Sequence, residues 1–235
     1  MAPVASMDAV ILCIGDELLS GDIADLNSTW LAKSLTDLGA VVKKIEVIPD
    51  DTKVIVDAVK KASADKVIIT GGLGPTHDDV TREAVALAFD LKLVRDPESV
   101  KVVEASAARH GRAPRPQSYV MADIPAGSTV IPNPVGAAPG FIINDRVYVF
   151  PGVPSEMKAM FELVKDHFKG PRLLVDWLIT KRPESDIVPD LNEAVKMFPA
   201  VVFGSYPSGV VKIKMKSYDA SQLASAKEWL SQRIL

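Results

Sequence analysis

The densest chemistry in this chain is the stretch Thr70–Thr81, TGGLGPTHDDVT. A glycine-rich turn there follows a short β-branched run and leads straight into a helical pattern. Glycines let a backbone approach a ligand closely, and the free N–H groups at a helix start favour an anion. The stretch is no Walker loop, because the chain has no Gly-Lys-Ser/Thr. It also misses the dinucleotide fingerprint, since His77 stands where the third glycine is required. A plain capped turn accounts for the same residues: Thr76 followed by Asp79 matches a capping box. His77 reads as an exposed loop histidine rather than a metal ligand.

Acidic pairs recur at matching places. Asp16 and Glu17 follow the first apolar run, Asp50 and Asp51 the second, and Asp78 and Asp79 the third. Carboxylates gathered on one rim could hold a divalent ion that in turn binds phosphate oxygens. On the simpler account Asp51 caps a helix and the others are solvated.

These residues need elements to carry them. The pattern predicts strands over Asp8–Ile14, Val41–Val47 and Lys66–Thr70, a loop over Gly15–Asp25, and helices over Asn27–Leu38, Thr52–Ala64 and Asp79–Phe89. A helix over Pro97–His110, a proline-rich connector over Arg112–Ser118 and short extended pieces over Thr129–Phe150 follow. A helix then runs from Ser155 to Phe168. The rhythm predicts an α/β fold, a mostly parallel sheet sandwiched by helices, in which the acidic pairs and the glycine loop share the carboxyl edge. Gly170–Pro171 marks a boundary, giving domains 1–170 and 171–235. The second reads as a small α+β unit: strand Arg172–Thr180, helix Glu184–Met197, strands Val201–Ser205 and Val210–Tyr218, helix Ser221–Ile234.

Composition narrows the class. The 235 residues are 48% hydrophobic and 24% charged, which excludes a disordered or fibrous chain. A net charge of −3 disfavours nucleic acid as a partner. The lysines at 212, 214 and 216 alternate with apolar residues and read as a solvated strand face, and Gly204–Gly209 has the wrong spacing for an RNA-clamping loop. The single cysteine, Cys13, lies in an apolar run and reads as a core residue. No apolar run approaches membrane-spanning length and no basic leader opens the chain, so we expect a soluble cytoplasmic protein with no membrane partner.

Six motifs in order, GDELLSG (15–21), NSTWLA (27–32), IPDD (48–51), GGLGPTHDDVT (71–81), NPVGAAPGF (133–141) and PGVPSEM (151–157), resemble the molybdopterin-binding-like domain of the CinA (competence/damage-inducible) family, related to the MoaB/MogA molybdenum-cofactor proteins. Residues 184–216 resemble the small KH-like unit that follows it in CinA-type chains. The resemblance ends without the amidase domain many CinA proteins carry, so nicotinamide-nucleotide deamidation is not carried over.

The resemblance implies metal-dependent hydrolysis of the diphosphate of ADP-ribose, or of FAD as in relatives fused to FAD synthases. The alternative is molybdopterin binding and adenylylation, in which the two MogA-type aspartates match Asp50 and Asp79. MogA-type proteins have threonine where this chain has Leu73, which favours the CinA branch. On the hydrolytic reading, backbone N–H groups of Gly71, Gly72 and Gly74 cradle phosphate, with Thr76 and Thr81 beside them. Asp79 and Asp78 hold the ion (Mg, Mn or Co), and Asp50 orients or deprotonates the attacking water. Gly15, Asp16, Glu17 and Asn27 meet ribose or base. Two loops wall the pocket, one with Asn133, Gly136, Pro139 and Gly140, the other with Pro151, Gly152 and Glu156. The implied partner is a small nucleotide or pterin-phosphate, bound by a homo-oligomer.

Overall fold

The computed structural model describes residues 7–171 and 173–235. The first six residues, and Arg172, with which the predicted strand of the tail begins, lie outside the described set. The chain forms two compact units that part between Gly170 and Pro171.

The first unit runs β1 (Asp8–Ile14), α1 (Asp16–Ser20), α2 (Leu26–Asp37), β2 (Val41–Ile48), α3 (Thr52–Lys61), β3 (Lys66–Thr70), α4 (Thr81–Ala88), β4 (Leu93–Arg95), α5 (Pro97–Arg109), β5 (Asp123–Pro125), β6 (Thr129–Ile131), β7 (Gly140–Ile143), β8 (Val147–Phe150) and α6 (Pro154–Val164). Six strands make one sheet in the order β2-β1-β3-β8-β7-β6. The first four are mutually parallel, and β7 and β6 add antiparallel. Central parallel strands are covered on both faces, which is why β3 (KVIIT) is buried at every position.

Period-two alternation sends successive side chains of β1 to opposite sides. Val10, Leu12 and Ile14 join Val67 and Ile69 in one core, whereas Ala9, Ile11 and Cys13 join Ile68, Tyr148 and Phe150 in the other. Leu31 and Leu35 of α2 and Met157, Met160 and Phe161 of α6 close the second core. Ile55 and Val59 of α3, Ala84 and Val85 of α4 and Val103 of α5 close the first. β7 and β8 are joined through the three residues Asn144, Asp145 and Arg146, the first two at positive φ (53° and 49°), and the Arg146 N–H donates to the Ile143 carbonyl across them. Asn and Asp tolerate that region better than other side chains.

Several boundaries differ from expectation. The loop after β1 contains the one-turn helix α1, which buries no side chain. α4 begins at Thr81 rather than Asp79, and its N-cap, Val80, offers no side-chain acceptor. Only half of the capping box forms: Asp79 reaches back to accept from the Thr76 N–H, but the Thr76 hydroxyl also donates to Asp79 rather than capping an N–H, and the helix starts later, at Thr81. α3 ends at Lys61, and α6 gives way at Val164 to a 3-10 turn over Lys165–Phe168. The proline-rich connector passes into another 3-10 turn, Pro116–Ala122. Asp51 does cap α3, accepting from the N–H groups of Lys53 and Val54.

The second unit runs β9 (Leu174–Thr180), α7 (Glu184–Met197), β10 (Val202–Ser208), β11 (Val210–Ser217) and α8 (Ala220–Ile234). Its sheet is antiparallel in the order β10-β11-β9. Val211, Ile213 and Met215 point to a core with Leu223, Ala226 and Leu230 of α8. The intervening lysines occupy the other face, where Lys214 Nζ stands 5.2 Å from the Trp177 ring centroid. Among the described residues no helix is long and apolar enough to cross a membrane.

Candidate functional site

The four parallel strands end at Ile14, Ile48, Thr70 and Phe150, and the loops that leave them open onto one cavity of about 570 Å³. Its lining includes Gly15 and Glu17 from the first loop, Asp50 from the second, Gly71, Gly72, Gly74, Asp78 and Asp79 from the third, and Pro151, Gly152 and Glu156 from the fourth; Asn27 enters from α2. Of the other predicted residues, Asp16, Thr76, Thr81, Asn133, Gly136, Pro139 and Gly140 do not line it.

Asn27 stitches three of these segments together. Its amide donates to the Gly152 carbonyl at 2.7 Å and to Thr70 Oγ1 at 3.2 Å, and the Thr70 hydroxyl donates to the Pro151 carbonyl at 2.9 Å. Asn27 Oδ1 is buried and takes no hydrogen bond from any described residue. Asn133 plays the same part in the fourth wall. Its amide donates to the Ala138 carbonyl and to Glu156 Oε2, while its oxygen accepts from the N–H groups of Val135 and Gly136.

The glycine loop is held from within. Asp79 Oδ1 accepts from the Gly74 N–H at 2.8 Å, and Oδ2 accepts from the Thr76 N–H at 2.9 Å and from the Thr76 hydroxyl. The buried Arg82 guanidinium donates to the Leu73 and Gly74 carbonyls. Gly71 and Gly72 have φ of +112° and +64°. A Cβ at Gly71 would lie 2.1 Å from the Ile14 carbonyl oxygen, and one at Gly72 would lie 2.2 Å from Thr81 Oγ1. Only glycine meets both demands. The Gly71 N–H donates to the Phe150 carbonyl and the Gly74 N–H to Asp79, so of the three amides expected to cradle phosphate only that of Gly72 is unspent. The Leu73 N–H joins it, also without a partner among the described residues.

Asp50 Oδ2 accepts from the Asp16 N–H at 3.0 Å, tying α1 to the end of β2. Burial raises the Asp50 carboxyl above its usual value; the Asp16 N–H works against this, while Asp16, Glu17 and Asp78 add to it by repulsion. Cys13 and Asp25, not anticipated as site residues, both line the cavity. Burial, reinforced by the neighbouring Asp25 carboxylate, pushes the Cys13 thiol well up, so it stays protonated and is no nucleophile. Asp25 also caps α2, accepting from the Ser28 N–H, and that Asp-x-x-Ser spacing was the available signal.

The lining carries six carboxylates (Glu17, Asp25, Asp50, Asp78, Asp79 and Glu156) and no Lys, Arg or His. Among the described residues no three His, Cys, Asp or Glu side chains converge into a ready metal cage. Oxygen donors of this kind fit a hard ion held by one or two carboxylates and completed by a ligand's phosphates, as Mg²⁺ is commonly bound.

Residues 10–170 match the family model described as probable molybdopterin binding domain, and residues 172–235 match that described as FAD synthase, middle domain. A protein of Archaeoglobus fulgidus is 42% identical over 223 residues, covering 94% of this chain and 95% of its own. A CinA-like protein of Parasynechococcus marenigrum is 42% identical over 165 residues, which cover 68% of this chain and 39% of that protein. The crystal structure of the protein CinA, of unknown function, from Thermoplasma acidophilum matches with a TM-score of 0.64 at 33% identity, over 69% of this chain and 98% of that one.

Proposed function

The chain belongs to the family of probable molybdopterin-binding domains, with CinA-like relatives, and on that premise we propose that it binds a nucleotide and hydrolyses its diphosphate bond with the help of a divalent ion. ADP-ribose and FAD are the substrate types. The observation that carries this reading is the charge of the cavity: six carboxylates, no basic side chain, and two unspent loop amides at Gly72 and Leu73. A bare diphosphate would be repelled by such a wall, whereas a diphosphate escorted by a cation is not.

The residues divide the work. Gly72 and Leu73 present their N–H groups to a phosphate oxygen, backed by the Arg82 guanidinium behind the loop. Asp78, which is exposed, would hold the ion together with the substrate's phosphates. Such an ion supplies neutralisation of charge on the diphosphate oxygens. Asp79 shapes the loop, its two oxygens being already engaged by three donors. Asp50 Oδ1 is left to orient a water and take its proton, and a raised carboxyl pKa brings it closer to the working pH of a general base. Asn27 holds the cavity wall in place, its amide donating to the Gly152 carbonyl and to Thr70 Oγ1.

The test is direct. Purified protein is incubated with ADP-ribose or FAD and Mg²⁺, Mn²⁺ or Co²⁺, and AMP is resolved by chromatography. AMP release that stops with chelator and with Asp50→Asn supports hydrolysis. Tight binding of a nucleotide or pterin-phosphate with no AMP overturns it in favour of the alternative, a molybdopterin-binding or adenylylating protein.

A further inference from the structure

Beside the main cavity lies a smaller one of about 220 Å³, and Ala137 belongs to the walls of both. Their charges are opposite. The smaller is lined by Arg112, Arg115, Ser106 and Ser118 with apolar residues between them, and no carboxylate takes part. From residue 105 to residue 122 the chain carries Arg109, Arg112 and Arg115 and not one Asp or Glu. Neither Arg112 nor Arg115 has an ion-pair or side-chain hydrogen-bond partner among the described residues.

Unpaired arginines on a surface are ordinarily just solvated. Two further observations set this pair apart. Ser106 is only 6% exposed, yet it lines the cavity with a hydroxyl that bonds to no other described group. A buried helical serine usually returns its hydroxyl to a carbonyl of the preceding turn, and this one does not. Moreover, the backbone that carries the arginines is fixed. The Arg112 N–H donates to the Ala107 carbonyl at 3.2 Å, and the Ser118 N–H donates to the Arg115 carbonyl at 2.9 Å. Pro114 and Pro116 lock φ on either side of Arg115. Arg109 spends its guanidinium on the Gly136 carbonyl at 2.7 Å, bracing the wall that contains Ala137.

Two guanidiniums and an unspent hydroxyl, without an acid among them, form a donor set for a phosphate dianion, which arginine recognises through paired N–H groups. We propose that this cleft is an anion subsite that takes a terminal phosphomonoester. That the phosphomonoester belongs to a ligand whose nucleotide body fills the main cavity rests on the function proposed above; the anion subsite itself does not. The acidic cavity and the basic cleft then sort one extended ligand by charge, the cation-escorted diphosphate on one side of Ala137 and the free phosphate on the other.

The first experiment titrates inorganic phosphate into the full chain at constant ionic strength and follows arginine Nε and backbone amide resonances. Saturable shifts at Arg112, Arg115 and Ser106, abolished in R112Q/R115Q and weakened in S106A, are expected. Shifts that do not saturate, or that persist in the double variant, overturn the subsite. The second compares dissociation constants of ADP-ribose and ADP-ribose 2′-phosphate. The wild type should prefer the phosphorylated ligand about tenfold, in keeping with charge-assisted bonds. R112Q/R115Q should erase the preference and leave ADP-ribose unchanged. Equal affinities in the wild type overturn the shared ligand. If neither nucleotide binds while phosphate still saturates, the function proposed for the main cavity fails and the subsite stands.

Discussion

Replacing Asp79 by alanine removes the acceptor of three hydrogen bonds, from the N–H groups of Gly74 and Thr76 and from the Thr76 hydroxyl. Bonds to a charged acceptor contribute about 1.5–3 kcal/mol each when their donors are sealed from water. Here that holds for only part of the set: Gly74 is part-buried, whereas Thr76 is exposed and regains water when released. The net cost is then about 2 kcal/mol, the upper end of what a lost helix cap costs. For a unit of this size that lowers Tm by about 4–8 °C, provided the unit unfolds in one step. Asp79→Asn keeps one acceptor oxygen but turns an NH₂ toward N–H and O–H donors, so about half the loss is expected. Thermal unfolding by circular dichroism reads the stability, and hydrogen exchange at Gly74 and Thr76 should speed up in step. A Tm within a degree of wild type, with exchange at those amides unchanged, would refute the loop-building role and return the carboxylate to ion binding.

Asp50→Asn should move stability the other way. The folded-state carboxyl is raised, so its ionised form is the one the fold disfavours. The penalty is therefore present at neutral pH and fades as pH falls through the raised value. An asparagine whose oxygen still accepts from the Asp16 N–H should raise Tm by a few degrees at pH 7, with the gain shrinking toward pH 4; a gain that grows on acidification would contradict the assignment. Gly72→Ala puts a methyl group 2.2 Å from Thr81 Oγ1 at a φ of +64°. A cost of about 3 kcal/mol or more follows from strain and overlap together, measured as a denaturant midpoint, and a wild-type midpoint would show that the turn has another conformation available.

Much of this protein was legible in one dimension, because strands and helices are written in local periodicity. The all-apolar KVIIT, the alternation along 211–216 and the Asp51 cap each act within a few residues, and each appears in the structure as read. The same holds for the idea that strand ends would share a rim, since parallel crossovers bring carboxyl ends to one edge. What each polar group does at that rim was decided only in three dimensions. Asn27 meets Gly152 across 125 residues of sequence and Asn133 meets Glu156 across 23. Asp79 lies within reach of its three donors, but whether it bends back to them or points at a ligand depends on the turn the glycines make. The phosphate cradle changed for the same reason: Gly71 lost its free amide to Phe150, a residue on a neighbouring strand. Nor could spacing reveal that the acidic cavity and the Arg112–Arg115 cleft share Ala137, for a wall between two cavities exists only once loops distant in sequence have packed against each other.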